Sequence, residues 1–306
     1  MKHNIQKFKD KATELGFQSI GVSKATKLDA EAKRLEDWLN HNYHGEMSYM
    51  ERYFDLRIDP KQLFPGTKSV IVLSINYYQE EITSETSVKI ARYAYGEDYH
   101  HVLKAKAKIL ETWMKEEYGN IQFRAFVDSA PIMERVWAEK SGISWNGKNT
   151  LSIHPRQGSF FFLMCVLTDL EFDYTDPIKD YCGTCTRCID ACPTKAIHPN
   201  GYLLDASKCI SYLTIELKNS IPAEFKDKME NWAFGCDICQ EVCPWNRFAT
   251  KTKEDQFEPK KELFKLSTKD WLEITDQTWN ELSKNSPLKR SGKTGMQRNI
   301  KFLIDS

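Results

Sequence analysis

The cysteines of this chain are concentrated in one segment, which holds eight of the nine. The first four, Cys182, Cys185, Cys188 and Cys192, have the spacing C-x2-C-x2-C-x3-C and precede Pro193. This run is typical of bacterial ferredoxins that carry two iron–sulfur clusters. Three of its thiolates can wrap one cluster, and the fourth, turned away by the proline, can reach a second. The segment therefore predicts electron-transfer chemistry.

The second half of the segment ends in the same way, with Cys236, Cys239 and Cys243 before Pro244. It lacks the first cysteine of a standard run, and Cys209 can supply that ligand across a long insertion. In the ferredoxin pattern the fourth cysteine of each run serves the other cluster. The first thiol set is then Cys182, Cys185, Cys188 and Cys243, and the second thiol set is Cys192, Cys209, Cys236 and Cys239, each for one [4Fe–4S] cluster.

Two structural zinc sites are the alternative for these thiols. Zinc ribbons use two well-separated C-x2-C pairs and need neither three cysteines at this spacing nor a repeated Cys-Pro, so the pattern favours clusters. Cys165 stands apart in the apolar run 160–167 and is predicted to be a buried core thiol. The chain has no G-x-G-x-x-G or P-loop motif, so no generic phosphate motif indicates a partner cofactor.

The composition is that of an ordinary soluble protein without net charge. The 306 residues include 43 Lys+Arg and 43 Asp+Glu, which excludes a uniformly basic nucleic-acid coat or an acidic disordered tail as the main function. No apolar stretch has the length of a transmembrane helix, and the N-terminus lacks the apolar core of a signal peptide. We therefore expect a cytoplasmic protein with reduced thiols, a setting that favours metal over disulfides.

The elements that must position these thiols alternate between strands and helices, which predicts an α+β core. The strand at 69–75 is continuously apolar and is expected to be buried on both faces. Segments 151–153 and 160–167 are predicted to form a hairpin, which favours a mixed sheet over a parallel one. The predicted strands are 19–22, 69–75, 121–127 and 160–167, and the predicted helices are 4–15, 30–40, 98–118, 131–140 and 269–282.

The composition shifts along the chain predict three parts. Residues 1–172 are expected to form the α/β domain, and the acidic stretch 171–180 is a reasonable boundary after it. Residues 173–250 are expected to form a ferredoxin-like domain with two clusters. Residues 251–306 are expected to form a helical, basic tail.

Several motifs together resemble the epoxyqueuosine reductase family, whose members complete queuosine in tRNA. Before the cysteine segment these are ARYAYG at 91–96, VDSAP at 127–131 and WNGKN at 145–149. Within it they are GCDICQ at 235–240 and CPWNRF at 243–248. The resemblance covers nearly the whole chain. Many members carry a C-terminal helical-repeat extension of the HEAT type, and this chain is expected to be a short form without it.

The resemblance implies an α/β domain, similar to that of reductive dehalogenases, that holds base-off cobalamin against the two-cluster domain. It also implies that an external donor sends electrons through the clusters to cobalamin to reduce epoxyqueuosine at the wobble position. Asp128 matches the family's proton donor, and donation near neutral pH would need a pKa raised by partial burial. The alternative is that Asp128 only caps the following helix.

The resemblance further suggests residues that contact the corrin. Arg57 is similar to a family position near the corrin, although it could equally be a solvated surface arginine. The side chains suggested to hydrogen-bond corrin amides are Tyr95, Asn149, Ser152 and Ser211, and each could instead serve a turn or a strand end. His100 is expected to be a surface or helix-cap residue.

The basic tail suggests how a tRNA could be held. Residues 284–301 contain six lysines and arginines and no acidic residue, and with the resemblance this favours phosphate contacts over a merely solvated face. We expect a monomer that needs no membrane. The other functions left open are a corrinoid enzyme similar to reductive dehalogenases that acts on a small molecule, a pure electron-transfer protein, and a zinc-stabilised RNA-binding module.

Overall fold

The computed structural model describes residues 2–82 and 88–305. Its strands are β1 Ser19–Lys24, β2 Ser69–Asn76, β3 Lys89–Ile90, β4 Phe123–Phe126, β5 Trp145–Asn146, β6 Ser152–Ile153, β7 Phe161–Thr168 and β8 Trp232–Phe234. Its α-helices are α1 Gln6–Glu14, α2 Asp29–Asn40, α3 Phe54–Ile58, α4 Pro60–Leu63, α5 Tyr99–Tyr118, α6 Glu134–Lys140, α7 Arg187–Asp190, α8 Ile210–Ile215, α9 Ile238–Glu241, α10 Thr268–Leu272, α11 Asp276–Ser283 and α12 Gly292–Ile304.

The main sheet has the strand order β1-β2-β7-β4, and each neighbouring pair is antiparallel. In its register Val72 of β2 lies between Gly21 of β1 and Cys165 of β7. Every residue of β2 is buried, as its apolar sequence predicts. Cys165 is fully buried in the core, which confirms the interpretation of this ninth cysteine.

Helices cover both faces of this sheet. Ile71 and Leu73 lie in a core shared with α1 and α5, whereas Val70 and Val72 lie in a core shared with α6. Alternate side chains of a strand point to opposite faces, so both sets of β2 side chains are buried. This layering explains why an antiparallel strand carries the continuous apolar sequence that is more usual in parallel sheets.

The α+β class is confirmed, but the strand pairing differs from the expected mixed sheet. Among the described residues, parallel pairing is limited to the short strands β3 and β8 and to one isolated bridge between His3 and Phe172. The predicted hairpin was wrong, since β6 pairs with β5 while β7 pairs with β2 and β4. The apolar β7 gains more burial inside the main sheet than it would beside a two-residue strand.

The cysteine segment folds into short helices and turns, and the C-terminal helices pack against it. Asn299 of α12 is buried, and its side-chain amide donates to the carbonyl oxygens of Thr214 and Ala233, both at 2.8 Å. The predicted helix at 269–282 is two helices, α10 and α11, which a break at Glu273–Thr275 separates. In the described part of the chain, no helix is long and apolar enough to cross a membrane.

The stretch that follows the cysteine segment packs against β2 and against the core of α1 and α5. The Thr252 hydroxyl donates to the carbonyl oxygen of Asn76 at 2.7 Å, and Phe257 lies in the core of α1 and α5. Residues of the tail also share an apolar core with Ile90 and Phe234. The three-part division at residues 172 and 250 stays a prediction.

Candidate functional site

The first thiol set surrounds one cavity. Cys182, Cys185, Cys188 and Cys243 all line a space of about 230 Å³. Burial, and then the neighbouring charges of Cys182 and Cys243, raise the pKa of the Cys188 thiol to about 11. The structure therefore brings together four thiols that are widely separated in the sequence, in the combination predicted from the ferredoxin pattern.

The second thiol set is also brought together. Burial raises the pKa of Cys239 well above its usual value, and the charges of Cys209, Cys188 and Cys192 add to this. Burial likewise raises the pKa of the Cys236 thiol, and the charges of Cys209 and Cys239 raise it further. All eight thiols are partly exposed, but protein atoms surround Cys209, Cys236 and Cys239 more completely than Cys182, Cys188 and Cys243. Because the charge of Cys188 acts on Cys239, the two sets lie near each other.

The thiols are grouped, but not tightly enough for one ion. Among the residues in the described ranges, no three His, Cys, Asp or Glu side chains converge as a single metal ion requires. Zinc would draw four sulfur atoms to about 2.3 Å from its centre. Four thiols around an open cavity instead fit a cubane cluster with one cysteine at each iron.

Local hydrogen bonds hold the cysteine loops in place. The indole N–H of Trp145 donates to the Cys182 sulfur at 3.5 Å, and the Asp180 carboxylate accepts from the Cys182 amide. The Lys148 ammonium donates to the carbonyl oxygens of Gly183 and Cys185 at 2.7 and 3.0 Å. Such contacts preorganise the thiols and orient the N–H donors that sulfur ligands need.

A second feature, the Asp128 recess, lies where β4 ends. Asp128 has a left-handed φ of 52°, which is uncommon for a residue with a side chain. Its amide donates to the Glu134 carboxylate at 2.7 Å. The side chain is 68% exposed although protein atoms surround it on most sides, so it lies in a concave recess. Asp128 does not cap α6, which has Met133 at its N-cap position.

The Asp128 carboxylate belongs to a polar network. Its Oδ2 accepts from the Tyr99 hydroxyl at 2.8 Å and lies 3.7 Å from Nε2 of His100, an ion-pair distance. The other ring nitrogen of His100 lies 2.7 Å from Oδ1 of Asp98, which also caps α5. Burial lowers the pKa of His100, but the two carboxylates outweigh burial and raise it to about 9.

The same network corrects the expected pKa of Asp128. The His100 side chain, together with the Tyr99 hydroxyl, lowers this pKa below its ordinary value despite burial. The expectation of a raised pKa was therefore wrong, because a cation and a hydroxyl donor stabilise the carboxylate. At neutral pH His100 is therefore protonated and forms an ion pair with the Asp128 carboxylate.

Three further charged side chains lie around the recess. Burial, and then the charge of Asp128, raise the pKa of Glu134 to about 7. Arg135 donates to the carbonyl oxygen of Thr150. Burial lowers the pKa of Arg57, and the carboxylate of Glu134 partly offsets this, which places the Arg57 guanidinium near the recess.

Tyr93 connects the recess to the second thiol set. Its ring lies edge-on to Tyr99 at 6.3 Å and contacts Phe234 at 6.0 Å. Gly235 and Cys236 follow Phe234 in the chain, and a Cβ at Gly235 would lie 3.4 Å from the Tyr93 ring. The recess therefore shares a wall with the second thiol set.

The predicted corrin contacts separate into two groups. Arg57 donates to the carbonyl oxygen of Tyr49 at 3.1 Å, while its Nε and the Ser152 hydroxyl are buried without a hydrogen-bond partner in the described part of the chain. Buried polar groups are normally paired, so both atoms fit a polar ligand. Ser152 lies shortly after Thr150, the acceptor for Arg135.

The other three predicted contacts are used elsewhere. Tyr95 is only 3% exposed, and its ring packs edge-on against Phe264 in the core of the tail. The Asn149 side chain donates to the carbonyl oxygen of Cys239 at 3.2 Å. The Ser211 amide donates to the Cys209 thiol. The structure thus places Asn149 and Ser211 beside the thiols and Tyr95 away from the recess.

The basic tail is partly paired within the chain. Arg290 forms a bidentate ion pair with Glu216 at 2.9 and 2.6 Å, and Lys293 pairs with Asp276. Arg298 donates to the carbonyl oxygens of Leu213, Leu217 and Asn219. Within residues 284–301, the basic residues that stay exposed and without an ion pair in the described chain are Lys284, Lys289 and Lys301.

Sequence reasoning missed the partners of Asp128. His100 was expected at a surface or cap, yet it bridges two carboxylates, and neither Tyr99 nor Glu134 was assigned a role. Tyr99 and His100 lie in the segment 91–100, whose sequence ARYAYGEDYH carries the family resemblance, and this was the available indication. Their distance from Asp128 in the sequence hides the contact, because α5 and β4 meet only in the folded chain.

Residues 181–246 match the family model described as "4Fe-4S double cluster binding domain", and residues 57–129 match "Epoxyqueuosine reductase QueG, DUF1730". The chain is 54% identical to the epoxyqueuosine reductase of Cyclobacterium marinum over 99% of this chain and 97% of that one. It is 40% identical to that of Escherichia coli over 98% of this chain and 80% of that one.

Solved structures give the same result. A crystal structure of epoxyqueuosine reductase with an epoxyqueuosine-modified tRNA-Tyr stem loop has a TM-score of 0.91, with 32% identity over 98% of this chain and 82% of that chain. A Bacillus subtilis epoxyqueuosine reductase, with its catalytic aspartate loop swung out of the active site, has a TM-score of 0.90 at 31% identity, over the same shares of the two chains.

Proposed function

The chain belongs to the epoxyqueuosine reductase family, and we propose that it reduces epoxyqueuosine to queuosine at the wobble position of tRNA. The observation that carries this proposal is the shared wall between the second thiol set and the Asp128 recess. With this arrangement, clusters on the thiol sets can deliver electrons, and the network around Asp128 can deliver protons, to the same reaction centre. The overall change consumes two electrons and two protons, opens the epoxide and releases water.

The donor sets fit two [4Fe–4S] clusters, one on each thiol set. The recess is the proposed cobalamin site, where Arg57 Nε and the Ser152 hydroxyl offer unpaired hydrogen-bonding groups for corrin amides. Cobalamin, when bound, would supply the strongly reducing cobalt centre that this chemistry needs. The work of the chain is to hold both partners and to provide protons.

We assign proton delivery to the pair of Asp128 and His100. His100 holds the proton at neutral pH, and the exposed Asp128 carboxylate is the member that can reach a substrate. One proton passes from His100 to Asp128 and then to the epoxide oxygen. The first transfer makes both side chains neutral, so neither is left with an unpaired charge. Glu134, with a pKa near 7, can hold the second proton that leaves in water.

The burial of the two thiol sets suggests the order of electron flow. The first set is closer to solvent and receives electrons, and the more enclosed second set passes them towards the recess. We further propose a monomeric enzyme in the reducing cytoplasm, with the domain boundaries predicted above. The exposed lysines 284, 289 and 301 are the proposed phosphate contacts for the tRNA.

The test is an anaerobic assay of the cluster-loaded protein on tRNA that bears epoxyqueuosine, with and without cobalamin. We expect conversion to queuosine only with cobalamin and a chemical reductant. Conversion without cobalamin would overturn the cofactor assignment. Absence of conversion by fully loaded protein would overturn the proposed function, and a small-molecule corrinoid enzyme would then be the better interpretation.

A further inference from the structure

We propose that the surface beside the first thiol set docks the external electron donor, and that this donor is an acidic protein with a one-electron cofactor. The docking patch consists of Tyr181, Arg187, Trp245, Arg247 and Phe248. The inference rests on the proposed function, because only an enzyme fed with single electrons needs such a partner.

The patch borders the thiols that are nearest to solvent. Tyr181, Trp245 and Arg247 line the same cavity as the four cysteines of the first thiol set. Arg187 and Arg247 also line a neighbouring open cleft of about 990 Å³, which Cys243 borders as well. A partner seated here would therefore lie within a side chain's width of a cluster, as fast electron transfer between proteins requires.

The patch exposes aromatic surface that the chain does not bury. Tyr181 is 50% exposed and Phe248 is 39% exposed. The ring of Trp245 lies 5.8 Å from that of Tyr181 and 6.0 Å from that of Phe248. The guanidinium of Arg247 lies over the Phe248 ring at 4.5 Å. Exposed aromatics with arginine are typical of protein-binding surfaces.

The charges favour an acidic partner. Neither Arg187 nor Arg247 has an ion pair among the described residues. Of the carboxylates beside them, Glu81 lines the same cleft and is exposed without an ion pair in the described chain, whereas three others are held by hydrogen bonds or an ion pair. Asp180 accepts from the Cys182 amide, Asp190 accepts from a threonine hydroxyl, and Glu241 pairs with Arg92. The two free guanidinium groups can therefore steer an acidic protein to the cluster.

RNA is the other macromolecule that basic and aromatic side chains could attract. The substrate must reach Asp128, and the residues that contact or act on Asp128 include none of the docking patch. The observations thus favour separate entrances for electrons and for tRNA.

The test uses cluster-loaded protein and a reduced flavodoxin of net negative charge. The double variant Arg187→Glu/Arg247→Glu is compared with Lys104→Glu, which reverses an exposed charge on α5 far along the chain from the cysteines. Cluster reduction is followed by stopped-flow bleaching near 400 nm, first with flavodoxin and then with dithionite, which needs no docking. Binding of flavodoxin to the oxidised protein is measured separately by calorimetry.

We expect the double variant to lose on the order of 10-fold in its low-salt rate with flavodoxin and in its affinity for it. At high salt, which screens the charge of the dithionite anion, its rate with dithionite should match that of the wild type, and so should its affinity for tRNA. Lys104→Glu should keep the wild-type rate with flavodoxin and the wild-type affinity for it. Equal rates of the double variant and the wild type with flavodoxin would overturn the docking site. Weakened tRNA binding by the double variant would overturn it as well. Turnover driven by dithionite tests the proposed function independently.

Discussion

The cysteine segment and the Asp128 recess are assembled by different rules. The thiols of the segment come from loops in which the sequence spacing already groups most of them. Folding then brings Cys209 to the second thiol set and Cys243 to the first thiol set. The recess collects Arg57, Asp128 and His100 from elements that meet only through the sheet and α5. The grouping of thiols can therefore be predicted from their spacing, whereas the proton affinity of an acid depends on neighbours that the fold brings to it.

The largest effect is expected when one predicted cluster ligand is removed from the cysteine segment. Cys188→Ala should reduce the iron content from about eight to about four per chain and abolish tRNA-dependent turnover, because the first cluster loses a corner. Iron analysis and activity are the measurements. Cys165→Ala is the matched control, since that thiol is buried in β7, and its iron content should stay unchanged. A Cys188→Ala protein with full iron would refute the ligand set.

The corresponding test of the recess is Asp128→Asn. We expect kcat to fall by about 10²–10⁴, the usual contribution of a general acid, with iron content and cobalamin binding retained. Single-turnover assays on modified tRNA measure this loss. Unchanged turnover would leave Asp128 without a catalytic role.

A third prediction asks whether the cysteine segment is as self-contained as its spacing suggests. Buried Arg92, which precedes the segment in the chain, donates to Asp237 at 3.1 Å and to Glu241 at 2.6 Å within it. Arg92→Met should lower the free energy of unfolding by about 3–5 kcal/mol, because it leaves a buried carboxylate without its cation. Urea unfolding measures the change.

The control for that prediction is Arg34→Met, which breaks a pair with Glu31 in which the arginine is exposed. That change should cost no more than about 1 kcal/mol. Equal effects of both substitutions would show that the stability of the cysteine segment does not depend on Arg92.

The smallest expected effect concerns His100, the side chain that holds the proton at neutral pH. His100 has a folded-state pKa raised from 6.5 to about 9, so its stabilising interaction is complete below 6.5 and is lost as pH rises through about 9. Activity should decline on the alkaline side in the same range. His100→Gln should lower kcat about 10-fold, the equivalent of one pKa unit, and should remove that alkaline decline.

The neighbour His101 provides the control for His100, because it is exposed. His101→Gln should keep both the rate and the pH profile of the wild type. An alkaline decline that persists in His100→Gln would assign the titration to another group.

These contrasts show what the sequence could and could not predict. The apolar run of β2 predicted a doubly buried strand, and the cysteine spacing predicted which thiols would meet. The pairing of β7 could not be predicted from the sequence. The adjacent segment 151–153 and the distant strands β2 and β4 could each have paired with this apolar strand. The pKa of Asp128 was misjudged for a related reason, since burial was the only influence visible without knowing that His100 lies beside it.

The packing of α12 against Thr214 and Ala233 has a consequence for how the protein matures in the cell. The cysteine segment leaves the ribosome before the helix that closes over it has been synthesised. Iron loading by the assembly machinery can thus act on a nascent, still open segment, and release of the finished polypeptide then seals it. A premature stop codon upstream of Gly292 would leave the carbonyl oxygens of Thr214 and Ala233 without the Asn299 side chain that now donates to them.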